Sequence, residues 1–253
     1  MASPKQSDVP LAATSTSLFA NLIGSNKGGV GKSFICRIVY HAFLINNLSV
    51  IPFDADTSTH DFSDIYDEIP ESNILGLDID EAIDCLNPVV DAVGQNRSHV
   101  LVNMPGNIDQ IFERWFVTNN IAEIMQDNDF QMRIWYVITG DYDSYMNLFV
   151  SLKKYGDFLS HVVVKNNISS RTNWQEFENN FELQDLIKTQ SCPVIEIPYL
   201  HLSLEKMNSF RLRKLKWGQI LDVQEPGFGM VERSRTKKFL LSCSDQMKSQ
   251  GLI

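Results

Sequence analysis

Cysteine is scarce in this chain: Cys36, Cys85, Cys192 and Cys243 are spread over 253 residues with no C-x-x-C pair. That spacing offers neither a zinc ribbon nor a thiolate-bound cluster, so the four read as reduced, mostly buried thiols. Long apolar runs are also missing. No stretch reaches the roughly 18 to 20 residues of a membrane span, and the first residues lack a charged region followed by an apolar core, so a cytosolic protein is expected. Positive charge is in deficit, with 22 Lys and Arg against 31 Asp and Glu, and the net charge of −9 argues against broad nucleic-acid binding. There is no internal repeat. The one biased tract, residues 1–16 (MASPKQSDVPLAATST), is small, polar and proline-containing, and is expected to be a flexible tail.

The charge deficit is uneven. Between Lys206 and Lys238 nine basic residues face three acidic ones, a net +6 that leaves −15 for the rest. The basic set is Lys206, Arg211, Arg213, Lys214, Lys216, Arg233, Arg235, Lys237 and Lys238. Arg211 to Lys216 alternate too densely for one helical face, while the last four open a helix. A solvated surface is the plain reading, and phosphate neutralisation on DNA is the functional one.

A hydrophobic content of 43% in a chain of this length supports one substantial core, so residues 17–253 are expected to form a single domain. Short apolar runs alternate with longer amphipathic ones, the pattern of an α/β fold: a doubly wound, mainly parallel sheet with helices on both faces. Strands are expected at 18–23, 49–53, 98–103, 132–138, 160–165 and 193–197. Helices are expected at 32–46, 79–93, 108–126, 142–156, 174–189, 203–214 and 231–248. Every residue with evident chemistry then falls just after a strand, where open parallel sheets bind ligands.

The most informative stretch is Lys27-Gly28-Gly29-Val30-Gly31-Lys32-Ser33, set between an apolar run and an amphipathic one. Glycines let such a loop wrap with its N–H groups inward, Lys32 can reach terminal phosphates, and Ser33 can ligate Mg²⁺ where a helix begins. Phe34 continues the nucleotide-binding run. A glycine-rich turn that merely carries two lysines is the alternative, and the flanking strand and helix argue against it. Lys27 is surplus to an ordinary phosphate loop. From the loop's start its ammonium would point away from its own chain's phosphates and could serve a second subunit.

The heptad resembles the deviant Walker A box of the ParA/MinD superfamily. In that family the extra lysine reaches across a face-to-face dimer to the partner's nucleotide, so the resemblance implies ATP, Mg²⁺ and an ATP-dependent homodimer. The lack of paired cysteines weighs against the iron-sulfur carrier and nitrogenase-reductase relatives. Phe53-Asp54-Ala55-Asp56-Thr57-Ser58 resembles the family's D-x-D, usually followed by Pro-Gln. By that match Asp56 positions water at the γ-phosphate and Asp54 supports the metal shell; two solvated turn carboxylates are the alternative. Asn103 stands where relatives generally carry aspartate. Its amide oxygen can accept from a metal-bound water without the strengthening charge, which predicts low metal affinity or slow turnover. Gly106 is by analogy the flexible end of a switch loop, or else an ordinary turn glycine.

By the same resemblance Asn166 would bond adenine and Pro198 would pack on it, both also being common loop residues. No Lys-x-Asp pattern accompanies Asn166, so ATP is favoured over GTP. ParA-like relatives bind DNA without sequence preference on a late basic surface, which maps here to Arg211, Arg213, Lys214, Lys216, Arg233, Arg235, Lys237 and Lys238. Trp217 is either a stacking aid there or a core residue. In the last helix Phe239, Leu240, Cys243 and Met247 recur at helical spacing; MinD grips membranes with such a helix, but only Lys248 follows as a cation, so packing is expected and membrane binding is not. The heptad, Tyr136-Val137-Ile138-Thr139-Gly140 and the stretch from Met230 to Leu241 also look like the TraL/StbB-type ATPases of conjugative plasmids. The expected function is a slow ATPase in bacterial cytoplasm, associated with the nucleoid, acting in plasmid partition, positioning or transfer with an adaptor protein. A nucleotide-dependent scaffold that barely hydrolyses, and a MinD-like membrane regulator, are the alternatives.

Overall fold

A strand covered on both faces needs no polar side, and six short runs rich in Val, Ile, Leu and Phe form the sheet here, the run at one edge keeping an exposed side at Val194 and Glu196. In the computed structural model, which describes residues 18–56, 60–76, 83–96, 98–106 and 109–253, they are β1 (Leu18–Gly24), β2 (Val50–Asp54), β3 (His99–Asn103), β4 (Phe130–Ile138), β5 (Ser160–Asn166) and β6 (Val194–Ile197). All pair in parallel in the order β2-β3-β1-β4-β5-β6. The chain leaves β1 toward one edge, returns through β3, and crosses β1 to build the other half. The end of β1 is therefore the switch point at which such sheets bind ligands. Residues 1–17, including the expected tail, lie outside the described residues.

The helices are α1 (Lys32–Ile45), α2 (Asn87–Asn96), α3 (Asp109–Thr118), α4 (Ile121–Asp127), α5 (Tyr142–Tyr155), α6 (Gln175–Glu178), α7 (Phe181–Thr189), α8 (Leu204–Leu212), α9 (Trp217–Leu221) and α10 (Met230–Ser249). Strand alternation divides the interior in two. Leu22, Val102, Ile134 and Val163 face a core closed by α2 to α7, where Val93, Trp115, Leu148 and Leu183 are buried. Ile23, Leu101, Trp135 and Val164 face a second core closed by α1 and by α8 to α10. Asn21 sits inside the sheet fully satisfied, donating to the Val100 carbonyl at 3.2 Å and accepting from Trp135 Nε1 at 2.9 Å.

All six expected strands are present within about two residues of their expected bounds. The helices differ more, for local reasons. Of the expected 79–93 helix, residues 79–82 lie outside the described residues, 83–86 form turns, and the helix runs from Asn87 with Pro88 in its first turn, where the missing N–H costs nothing. The expected 108–126 helix divides at Asn119-Asn120, where Asn120 is left-handed with φ 50°. The expected 174–189 helix divides where the Asn180 side chain caps Leu183 N. The 203–214 helix stops at Leu212, and α9 was not expected at all.

Phe239, Leu240, Cys243 and Met247 are buried, so this stripe of α10 packs as expected. Trp217 is fully buried against Phe210, Phe34 and Phe239, which makes it a core residue and removes it as a DNA-stacking candidate. Among the described residues no helix is long and apolar enough to cross a membrane.

Candidate nucleotide site

The loop from Ser25 to Gly31 joins β1 to α1, and two of its glycines do what other residues cannot. Gly29 has φ 76° and Gly31, the N-cap of α1, has φ 93°. A Cβ on Gly31 would lie 2.6 Å from Asn166 Nδ2, so both conformation and space demand glycine. The first turn of α1 carries no acidic side chain, leaving its N–H groups and positive end to an anion.

Lys32 is nearly buried, and its ammonium donates to the Lys27 carbonyl at 3.3 Å. Burial lowers its pKa, opposed by the charge of Asp56. Gly106 lies against the same ammonium, its Cβ position 3.5 Å from Lys32 Nζ. Ser33 and Phe34 follow on α1. Phe34 turns its ring toward Trp217 and Phe239, so its polar contribution to a ligand is its main-chain N–H.

Lys27 goes the other way. Its side chain is one-third exposed and pairs with Asp141 and, at 3.8 Å, Asp143 in the turn that opens α5. The hydrogen bond from Lys27 to Asp141 raises the lysine's pKa. Asp141 also caps α5, accepting from Ser144 N at 3.2 Å and from the Thr139 hydroxyl. Against partial burial, which acts to raise it, the bonds from Lys27 and Thr139 bring its pKa below the ordinary value.

Asp54 and Asn103, at the ends of adjacent strands, are both fully buried. The Asp54 carboxylate accepts from Ser63 N at 2.8 Å, Asn103 Nδ2 at 2.9 Å and Asp56 N at 3.2 Å. Asn103 thus acts as a donor, where an aspartate would meet Asp54 as a like charge. Among the described residues its Oδ1 has no hydrogen-bond partner. Asp56 is nearly buried beside Lys32, and Thr57 and Ser58 lie outside the described residues. Among the described residues no three His, Cys, Asp or Glu side chains form a metal cluster. Ser33, Asp54 and Asn103 carry oxygen donors of the kind Mg²⁺ takes from protein when phosphates and water supply the rest, but only Ser33 lines the cavity at the loop, and Asp54 and Asn103 are fully buried outside that lining.

A cavity of about 720 Å³ opens at the loop, lined by Gly29, Gly31, Lys32, Ser33 and Asp56 on one side and by α8 residues such as Met207 and Arg211 on the other. Asn166 and Pro198 are absent from that lining. Asn166 is buried under the loop, where Nδ2 donates to the Val30 carbonyl at 2.8 Å. Pro198 lies one residue beyond Ile197, which is in register with Asn166.

The first four basic residues of the late cluster are already engaged. Lys214 pairs with Asp64 at 2.7 Å, Lys216 with Asp67 at 2.5 Å and Glu68 at 2.6 Å, Arg211 with Asp61 at 4.0 Å, and Arg213 with Glu225. Arg233 and Arg235 reach main-chain carbonyls, while Lys237 and Lys238 are exposed. None of these four has an ion pair among the described residues.

Sequence reasoning missed Asp141, Ser63 and the acidic run 61–68. Asp141 carries a helix-cap signal, but nothing local marks it as the partner of a lysine 114 residues away.

No curated protein sequence shows significant similarity to the chain. Solved structures do. MinD, the septum site-determining protein from Pyrococcus horikoshii OT3 complexed with Mg-ADP, superposes with a TM-score of 0.56 at 11% identity, covering 93% of this chain and 97% of that one. The MinC:MinD cell division protein complex from Aquifex aeolicus gives 0.52 at 16% identity, with 92% and 96% covered. At these identities the likeness is one of fold. The sequence model described as the CobQ/CobB/MinD/ParA nucleotide binding domain matches residues 22–199, from within β1 to just past β6. By that match, which spans most of the chain and includes the loop, Asp54, Asp56 and Asn103, the protein belongs to the ParA/MinD superfamily of P-loop nucleotide-binding proteins.

Proposed function

We propose that this chain is a slow ATPase that binds Mg·ATP in the loop Lys27 to Ser33 and closes into a homodimer while ATP is bound. The observation that carries the reading is the opposite placement of two lysines in one loop. Lys32 is buried beside Asp56, and Lys27 lies outside, on the α5 side, away from the phosphate cradle.

In this reading the inward N–H groups of Gly28 to Phe34 bind the phosphates, and Lys32 holds the terminal ones. Asp56 orients the attacking water, and Lys27 leaves Asp141 to contact the nucleotide of the second subunit. Ser33 would hold Mg²⁺, with Asp54 and Asn103 supporting its water shell; the buried Asn103 Oδ1, without a hydrogen-bond partner among the described residues, fits such a water. The ion, when bound, neutralises phosphate charge. Asn166 braces the loop, and its contact with adenine would require its amide to leave Val30, while Pro198 packs on the base. Slow turnover makes the dimer a timer, read by an adaptor protein and by nonspecific DNA in the bacterial cytoplasm. Plasmid partition, positioning or conjugative transfer of the TraL/StbB kind are the roles that suit such a cycle.

A non-hydrolysing scaffold is the second reading, favoured by the bond from Asn103 to Asp54, which substitutes an amide for a charge beside the metal position. The membrane reading loses support, because the stripe Phe239, Leu240, Cys243 and Met247 of α10 is buried in the core.

Turnover of ATP with Mg²⁺, with and without duplex DNA, and dimerisation by light scattering test the proposal. Slow turnover abolished by Asp56→Ala, with ATP-dependent dimers abolished by Lys27→Ala, is the expected result. Stable ATP dimers without turnover would establish the scaffold, and dimers unaffected by Lys27→Ala would refute the sandwich.

A further inference from the structure

The segment from Asp61 to Glu68 reads Asp-Phe-Ser-Asp-Ile-Tyr-Asp-Glu. Its apolar residues Phe62, Ile65 and Tyr66 are buried, which turns its four carboxylates outward together. Those carboxylates meet the basic strip that begins in the last turn of α8: Asp61 faces Arg211, Asp64 faces Lys214, and Asp67 with Glu68 holds Lys216. Three anionic positions about three residues apart thus lie along three cations some 150 residues later in the chain. The pairs are exposed, and exposed pairs contribute little to stability, so folding alone gives weak reason for a matched row.

The same segment is tied to the nucleotide site. Ser63 N donates to the Asp54 carboxylate at 2.8 Å, and His60 N donates to the Asp56 carbonyl at 3.2 Å. Asp61, Asp64, Arg211 and Lys214 line the cavity that Lys32, Ser33 and Asp56 also line. Further basic residues, Lys237 and Lys238, stand exposed on α10 with no ion pair among the described residues.

From this arrangement we infer that Asp61 to Glu68 is an internal mimic of a nucleic-acid phosphate backbone. It masks a DNA-binding strip formed by Arg211, Lys214 and Lys216. The inference rests on the nucleotide-switched reading above and adds its regulation. Ligand entering beside Asp54 and Asp56 acts on the hydrogen bonds that seat the segment. Its carboxylates then withdraw from the strip, and DNA phosphates take their place. Lys237 and Lys238 supply nonspecific attraction in either state, and the masked strip supplies the part that depends on nucleotide.

The test is fluorescence anisotropy of a labelled random-sequence DNA duplex over a salt series, first without nucleotide. An unmasked protein carries Asp61→Asn, Asp64→Asn, Asp67→Asn and Glu68→Gln. Its control carries the same charge change at exposed positions with no ion pair among the described residues, Glu123→Gln, Asp127→Asn, Glu182→Gln and Asp185→Asn. With four competing ion pairs removed from three cations, the unmasked protein should bind roughly tenfold more tightly than the control. Its log K against log salt should steepen by about 2.7 for three freed cations. Adding Lys214→Gln and Lys216→Gln should cancel most of the gain.

Equal affinity and slope for unmasked protein and control would overturn the mask, as would a gain that survives loss of the two lysines. If the fourfold variant does not fold, Asp67→Asn with Glu68→Gln alone frees Lys216 and should steepen the slope by about 0.9; no change would overturn the inference. The comparison needs no ATP. A chain that forms no ATP dimer yet gains DNA on unmasking would refute the proposed function while supporting the mask.

Discussion

Replacing Asn103 by aspartate would set a second carboxylate where an amide now donates to Asp54 at 2.9 Å, in a site with no solvent exposure. Two like charges about 3–4 Å apart repel by about 4–5 kcal/mol at an effective dielectric near 20. The introduced carboxyl avoids most of that by keeping its proton, and its pKa should rise by about 3 units, from about 3.9 to about 7. The sign follows from proton counting. The folded state then binds a proton that the unfolded state has released, so stability is intact below pH about 4 and falls as pH rises toward 7. At pH 8 the deficit should approach about 4 kcal/mol, or roughly 8–16 °C in Tm for a chain of this size. Thermal unfolding of Asn103→Asp and the native protein at pH 4.5 and pH 8, with and without Mg·ATP, measures it. A deficit present at pH 8, small at pH 4.5 and reduced by Mg·ATP is expected. A variant within about 2 °C of the native protein at pH 8 without metal would show that the contact with Asp54 does not matter.

Gly31→Ala should lower ATP affinity by at least about tenfold in calorimetric titration, because φ 93° costs an alanine about 1–2 kcal/mol and its Cβ would strike Asn166 Nδ2. Unchanged affinity would refute the tight fit of loop on strand. Asp141→Asn keeps the α5 cap but releases Lys27, so ATP dimers should form at lower ATP with Tm shifted by no more than about 2–4 °C. Weaker dimerisation would mean that Asp141 helps Lys27 instead of detaining it. His161 is buried with its pKa pushed down to about 4 by desolvation, so the native state resists its protonation. Stability should therefore be present above pH 6.5 and fall by up to about 3 kcal/mol as pH drops toward 4. His161→Gln should flatten that part of a urea-melt pH profile.

The strands were legible because burial on both faces writes continuous apolar runs that no helix of similar length needs. Helix ends were less legible, since Asn120 and Asn180 interrupt amphipathic patterns that remain regular on either side. Loop, metal-side and catalytic candidates sit at strand ends as expected, because their spacing within β1–α1, β2 and β3 is local. What escaped was pairing at a distance. The sequence displays the sign of Lys214 and Lys216 but not that Asp64 and Asp67 answer them from about 150 residues away. Nor does it display that Asn103 donates to Asp54, or that Asn166 faces the loop backbone, since side-chain direction depends on packing that only the assembled sheet sets.

The family match ends at residue 199, yet the second core does not. Phe210, Trp217, Ile220, Phe239, Cys243 and Met247 belong to the same core cluster as Ile35, Val39 and Phe43, so the segment after residue 199 and the matched region are packed together along α1. Phe34, next to the phosphate-loop serine, has its ring against Trp217. The tail end of such a chain cannot diverge freely to suit a new partner. Each change there presses on the helix that begins at the phosphate loop, which gives the last fifth of the chain a mechanical grip on the nucleotide site.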